Sequence, residues 1–245
     1  MKRKFPTKPQ PHTDAFVIEQ NNATGGVSYW QRGDNQSVAD RNGVSLADYI
    51  HAMYGFLRQA KCRRILMIGC GGGTLATMLR RANVTVAIAD IDGRSFEIAR
   101  RYFHMPDDVE CHVADGQTFL RRNPARYDAI VLDAYGDQIV PKHFMKTAFF
   151  KLAKSRLRTR NAIFLANLVV ASDEDRTPDR IARLMGETWR HVRLLDADGW
   201  ENRNTVAIAG AVRKLKRPRL LMPPARGAGK IVTGLKALEF RALRA

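Results

Sequence analysis

From Lys61 onward, short runs of β-branched and apolar residues alternate with segments whose apolar positions recur at helical spacing. A strand covered on both faces reads as a continuous apolar run, and its covering helix reads as a stripe, so this alternation predicts a parallel sheet with crossover helices. Strands are expected at 64–68, 84–89, 109–114, 128–132, 162–168, 192–195 and 205–209. Helices are expected from Leu75, with Met78, Leu79 and Ala82 in phase, and over 95–103, 143–157 and 178–189. A turn-rich stretch instead of a helix separates the last two strands, which predicts an antiparallel pair at one sheet edge. The class is therefore α/β, with a seven-stranded, mostly parallel, doubly wound sheet.

Upstream, residues 14–46 read as a short β-rich segment, with strands at 16–18 and 27–30 and turns at Gly25-Gly26 and Gly33-Asp34-Asn35. Residues 46–57 then have helical periodicity. So few strands do not make a stable unit, so they are expected to pack on the main body or on a second copy of the chain.

The glycines Gly69, Gly71 and Gly73 fall between the first strand of the main body and its helix, where they permit a tight turn and close backbone approach to a ligand. The spacing is not the dinucleotide fingerprint, because Thr74 stands where that pattern needs Gly or Ala. It suits the amino-acid end of an adenosyl-methionine-like molecule. Three later strands each finish on an acid, Asp90, Asp115 and Asp133, and ligands of open α/β sheets lie outside the carboxyl ends of the strands. Asp90 is placed to accept the ribose hydroxyls, with Ile91 beside it. Asp115, followed by Gly116, is placed to meet the adenine amino group, and Asp133 lies where a reacting centre should be. The main body, 47–212, thus reads as a nucleoside-binding domain.

The net charge of +17 changes this picture less than its size suggests. A basic extension over 1–13 holds four Lys/Arg and no acid, and the tail 213–245 holds ten Lys/Arg against the single acid Glu239. The tail, rich in Pro and Gly, is expected to be a solvated, partly disordered extension, and non-specific contact with nucleic acid is the partner these basic tails allow. Three widely spaced cysteines, Cys62, Cys70 and Cys111, suggest neither a disulfide framework nor a zinc site, and no metal is expected. No run is apolar enough to span a membrane, and the N-terminus lacks the apolar core of a signal peptide, so a cytoplasmic protein with no membrane partner is expected.

Together, Ile68-Gly69-Cys70-Gly71-Gly72-Gly73, Ala89-Asp90-Ile91-Asp92, His112-Val113-Ala114-Asp115-Gly116 and Tyr127-Asp128-Ala129-Ile130-Val131-Leu132-Asp133 resemble the spermidine synthase family, the polyamine aminopropyltransferases. The resemblance covers roughly 46–170, through Pro141, Phe144 and Phe149-Phe150 and back to Tyr49-Ile50-His51. It implies a Rossmann-like, class I methyltransferase-like fold, an S-adenosyl-type co-substrate (decarboxylated S-adenosylmethionine or S-adenosylmethionine), a small-molecule amine acceptor and a homodimer. It implies that Gly69, Gly71, Asp90 and Asp115 bind the adenosyl moiety and that Asp133 is the base. His51, Tyr135 and Asp137 would lie on the acceptor side.

The departures lie on that acceptor side. Asp133-Ala134-Tyr135-Gly136-Asp137 replaces the family's Asp-Ser-Ser-Asp or Asp-Ser-Thr-Asp signature, so the second acid comes one position late. The Tyr-His-Glu motif survives only as His51 followed by Ala52, and the N-terminal β-domain is abbreviated. Three readings follow: an aminopropyl-transferring enzyme, an S-adenosylmethionine-dependent methyltransferase acting on a substrate such as RNA, and a non-catalytic nucleoside- or nucleic-acid-binding module.

Overall fold

A computed structural model describes residues 16–31, 33–135, 140–158 and 161–244. The basic extension at 1–13 and Asp137 lie outside the described residues. Three antiparallel strands come first: β1 (Phe16–Asn21), β2 (Gly26–Gln31) and β3 (Asp34–Ala39). Their inner face packs Val27, Tyr29 and Ala39 against Ile98 and Phe103 of the main body, so the small sheet is stabilised by the larger unit. Residues 33–35, expected as a turn, already begin the third strand at Asp34.

The main body follows as α1 (Asp48–Gln59), β4 (Arg64–Ile68), α2 (Thr74–Arg81), β5 (Thr85–Asp90), α3 (Arg94–Phe103), β6 (Glu110–Val113), α4 (Gly116–Arg122) and β7 (Ala129–Leu132). After a short 3-10 turn at Lys142–Phe144 come α5 (Thr147–Ser155), β8 (Ile163–Val170), α6 (Thr177–Gly186), β9 (Val192–Asp196), β10 (Arg203–Gly210), α7 (Ala228–Ala237) and β11 (Glu239–Arg241). The strand order is β11-β9-β10-β8-β7-β4-β5-β6. The five strands β4 to β8 pair in parallel, and β10 runs antiparallel to both β8 and β9. One core layer lies under α1, α2 and α3, and the other under α5 and α6, as a doubly wound sheet requires.

Two expectations need correction. The sheet has eight strands where seven were expected, because Glu239–Arg241 adds an edge strand on β9. It comes from the basic tail, which is not a solvated extension: Leu215, Ile231, Leu235 and Leu238 are buried in the core beside α1. The tail is further held by charge. Asp196 is buried and accepts from Arg203 Nε at 2.6 Å, Thr205 Oγ1 at 2.7 Å and Arg241 Nε at 2.7 Å. Arg241 also donates to both oxygens of the buried Asp179 at 2.8 and 3.0 Å. One cation of the tail, Arg241, is thus taken up by buried carboxylates.

No helix among the described residues is long and apolar enough to cross a membrane. The three cysteines are free thiols, Cys62 and Cys70 buried and Cys111 half-buried.

Candidate active site

The carboxyl ends of β4 and β7 are neighbours, and the chain leaves β4 towards β5 on one side while β7 lies on the other. Such a divergence opens a crevice above the sheet. Gly69 enters the loop at φ +97°, and a Cβ there would sit 2.1 Å from the backbone oxygen of Asp133. Only glycine lets the loop approach the end of β7 so closely. The Asp133 amide in turn donates to the Ile68 carbonyl at 2.9 Å, so loop and acid are fixed to each other.

Asp133 is partly buried, and its environment sets its chemistry. Desolvation pushes its carboxyl up to about 6, against the pull of one hydrogen bond from Asn167 Nδ2 to Oδ1 at 2.8 Å. No ion pair of Asp133 occurs among the described residues. Asn167, on β8, is buried and held on its other face by Asn204 Nδ2 at 3.0 Å. Burial, and after it the nearby Asp133 charge, holds the hydroxyls of Tyr49, at the start of α1, and of Tyr135 protonated well above the ordinary range. Asp133 thus lies among two phenols and an amide chain.

On the nucleoside side, Asp90 Oδ2 accepts the Cys70 amide of the glycine loop at 2.7 Å, and Oδ1 accepts the Asp92 amide at 2.8 Å. Each oxygen keeps a lone pair, and the carboxylate is fixed at the mouth of the loop. Ile91 beside it is 76 % exposed, an uncovered apolar face next to an acid that can take hydroxyls. These residues fit a nucleoside. Asp115 is committed differently: Oδ1 caps α4 by accepting the Thr118 amide at 2.9 Å, and Oδ2 lies 2.8 Å from His143 Nε2. His143 is half-buried and ties the segment after β7 to this acid.

Other expected site residues make packing contacts and hydrogen bonds within the fold. A Cβ on Gly116 would meet Ile68 at 2.3 Å, and one on Gly73 would meet Met105 and Ala99, so these two serve the packing of α4 and α3. Gly71 faces Ser37 of β3. His51, expected on the acceptor side, is buried in α1, with Nε2 donating to the Ser45 carbonyl at 2.7 Å and burial lowering its pKa. It packs inward because Ala52, Met53 and Phe56 turn that helix face to the core. Tyr135 is close to Asp133, but its hydroxyl donates to the Asn167 carbonyl at 2.6 Å.

Sequence reading missed Asn167, Asn204 and Ser37. Ser37 Oγ accepts the Gly72 amide at 2.8 Å, so the N-terminal sheet completes the glycine loop. The available signal for Asn167 was a polar residue inside the apolar run 163–170, which a fully buried strand tolerates only with partners.

A family model described as a methyltransferase domain matches residues 65–158. A polyamine aminopropyltransferase of Vibrio vulnificus is 31 % identical over 120 residues, which are 46 % of this chain and 40 % of that protein. The chain spans between 28 % and 40 % of the length of the curated relatives it matches. A probable spermidine synthase from Corynebacterium glutamicum superposes with a TM-score of 0.72 at 18 % identity, over 93 % of this chain and 87 % of the other. A spermidine synthase in complex with the transition-state analogue AdoDATO gives 0.60 at 18 % identity, over 89 % and 79 %. The fold is methyltransferase-like, and the sequence is similar to polyamine aminopropyltransferases over part of its length.

Proposed function

We propose that this chain is a spermidine synthase-like transferase that binds an S-adenosyl-type nucleoside, decarboxylated S-adenosylmethionine or a relative, and moves its aminopropyl group to an amine acceptor. The observation that carries the reading is Asp133: a desolvated carboxylate with no described cationic partner, held in place by Asn167, beside the glycine loop. An ammonium or amine is the ligand that such a carboxylate favours.

Asp90 and Ile91 would hold the ribose and adenine, and Gly69 and Gly71 would let the donor chain pass close to the backbone. The bound donor supplies a sulfonium leaving group next to the carbon that is attacked. Asp133, with a carboxyl near 6, is ionised at neutral pH and basic enough to take a proton from the attacking amine. Tyr49 and Tyr135 wall the reacting centre and exclude water. Alignment contributes most of the acceleration, since the leaving group needs no protonation.

The methyltransferase family match favours a second reading, methyl transfer through the same nucleoside site. Incubation with S-adenosylmethionine or its decarboxylated form and a panel of amines, followed by mass spectrometry, separates the two. The proposal expects a mass gain of one aminopropyl unit on an amine, with the decarboxylated donor only. A methylated product, or no product from either donor, contradicts it.

A further inference from the structure

We propose that the edge of the sheet opposite the candidate active site is a docking surface for the phosphate backbone of a nucleic acid. The five parallel strands all begin at this edge, so the C-terminal ends of their helices meet there. The chain places Arg58 and Lys61 at the end of α1, Arg63 before β4, Arg121 and Arg122 at the end of α4, and Lys216 after the antiparallel β10. All six are exposed, and none has a carboxylate partner among the described residues.

The backbone carrying them is cross-linked. Gln59 bonds both the amide and the carbonyl of Lys216, at 2.8 and 3.0 Å. Asp128 accepts the amides of Arg63 and Arg64 at 2.9 and 3.0 Å, and Arg156 Nε donates to the Leu120 carbonyl at 2.8 Å. The edge formed by the successive neighbours β10, β8, β7 and β4 spans about 15 Å at roughly 4.8 Å per strand, with the end of α1 and Lys216 on one face of the sheet and the end of α4 on the other, room for several phosphates.

The acids at this edge each have a basic neighbour other than the six: Asp108 pairs with Arg80, Asp107 lies 3.5 Å from Arg100, Glu110 lies 2.7 Å from His112, and Asp128, besides accepting the two amides, lies 4.0 Å from Arg158. Helix dipoles favour cations at helix C-termini and account for part of the pattern, but not for Arg63 or Lys216, which lie on no helix. A lipid surface fits less well. Among the described residues, the exposed large apolar ones are Val17, Ile91, Val113, Val169, Leu221 and Leu243, and none of these lies at this edge. The charge that the sequence assigns to tails is therefore presented in part by the folded body.

The test uses the full chain and a variant carrying Lys61→Gln, Arg121→Gln, Arg122→Gln and Lys216→Gln. Binding of a fluorescein-labelled single-stranded RNA is followed by anisotropy across a salt series. Each lost phosphate contact should lower the slope of log affinity against log salt by about 0.7, so the four together remove about three units. The thermal response to methylthioadenosine should match that of the wild type, because the nucleoside crevice is at the other edge. If the quadruple variant is unstable, Arg121→Gln with Arg122→Gln alone should remove about 1.4 units. Absence of RNA binding by the wild type at low salt overturns the proposal, as does an unchanged slope in a folded variant. So does equally strong binding to phosphatidylserine vesicles that the same substitutions abolish.

Discussion

Asn167 Nδ2 donates to Asp133 Oδ1 at 2.8 Å, and this is the hydrogen bond that opposes the desolvation of the Asp133 carboxyl. The acid is held where burial raises its pKa to about 6. A carboxyl raised above its unfolded value costs stability once both states are ionised, so the cost is absent at low pH and grows as pH rises through the window from 3.8 to about 6. Asp133→Asn should therefore stabilise the fold, by about 2 to 3 kcal/mol above that window and by little at pH 4. Thermal unfolding at both pH values checks the sign. Stabilisation that does not change with pH would remove the titration argument.

Removing the amide should act in the opposite sense on the same group. Asn167→Ala deletes a bond to the charged form, so the carboxyl of Asp133 should titrate higher still. In a pH–rate profile the acid limb should move upward while nucleoside affinity stays unchanged. An unmoved limb would mean that Asp133 is not the titrating group.

Asp90 should carry the nucleoside. Methylthioadenosine should raise the thermal midpoint of the wild type by mass action, and Asp90→Ala should abolish the rise. Because Asp90 also accepts the Cys70 and Asp92 amides, the variant should also be less stable without ligand. Equal shifts in both proteins would remove the ribose assignment.

The tail is now expected to be structural. Arg241→Ala leaves the buried Asp179 and Asp196 short of a partner and should cost roughly 3 to 5 kcal/mol. Arg241 and its neighbours hold both carboxyls below the usual range, a contribution present above the unfolded pKa and lost as pH falls through the folded values. The deficit of the variant should therefore narrow in acid, which urea denaturation at pH 7 and pH 3 would show. A constant deficit would assign the loss to packing alone.

What the sequence disclosed and what it hid follow from locality. Asp90, Asp115 and Asp133 are legible because each follows its own strand, and a strand-end position in a parallel sheet carries its location with it. Asn167 and Ser37 are not, because each meets its partner across about thirty-five residues, through strand pairing in one case and packing of the small sheet on the main body in the other, which no local pattern encodes. His51 illustrates the reverse difficulty. The family motif marks it, yet its ring faces the Ser45 carbonyl inside the core. In the tail, Ile231, Leu235 and Leu238 do recur at helical spacing, but the surrounding charge obscured that stripe, and the acids that hold Arg241 lie on α6 and β9.

Asp133 as proton acceptor is the central claim, and single-turnover transfer by Asp133→Asn tests it most directly. With decarboxylated S-adenosylmethionine and an amine that the wild type accepts, the rate should fall by a factor on the order of 10² to 10⁴, while methylthioadenosine affinity is retained. Wild-type turnover by a folded, donor-bound Asn variant would contradict the account.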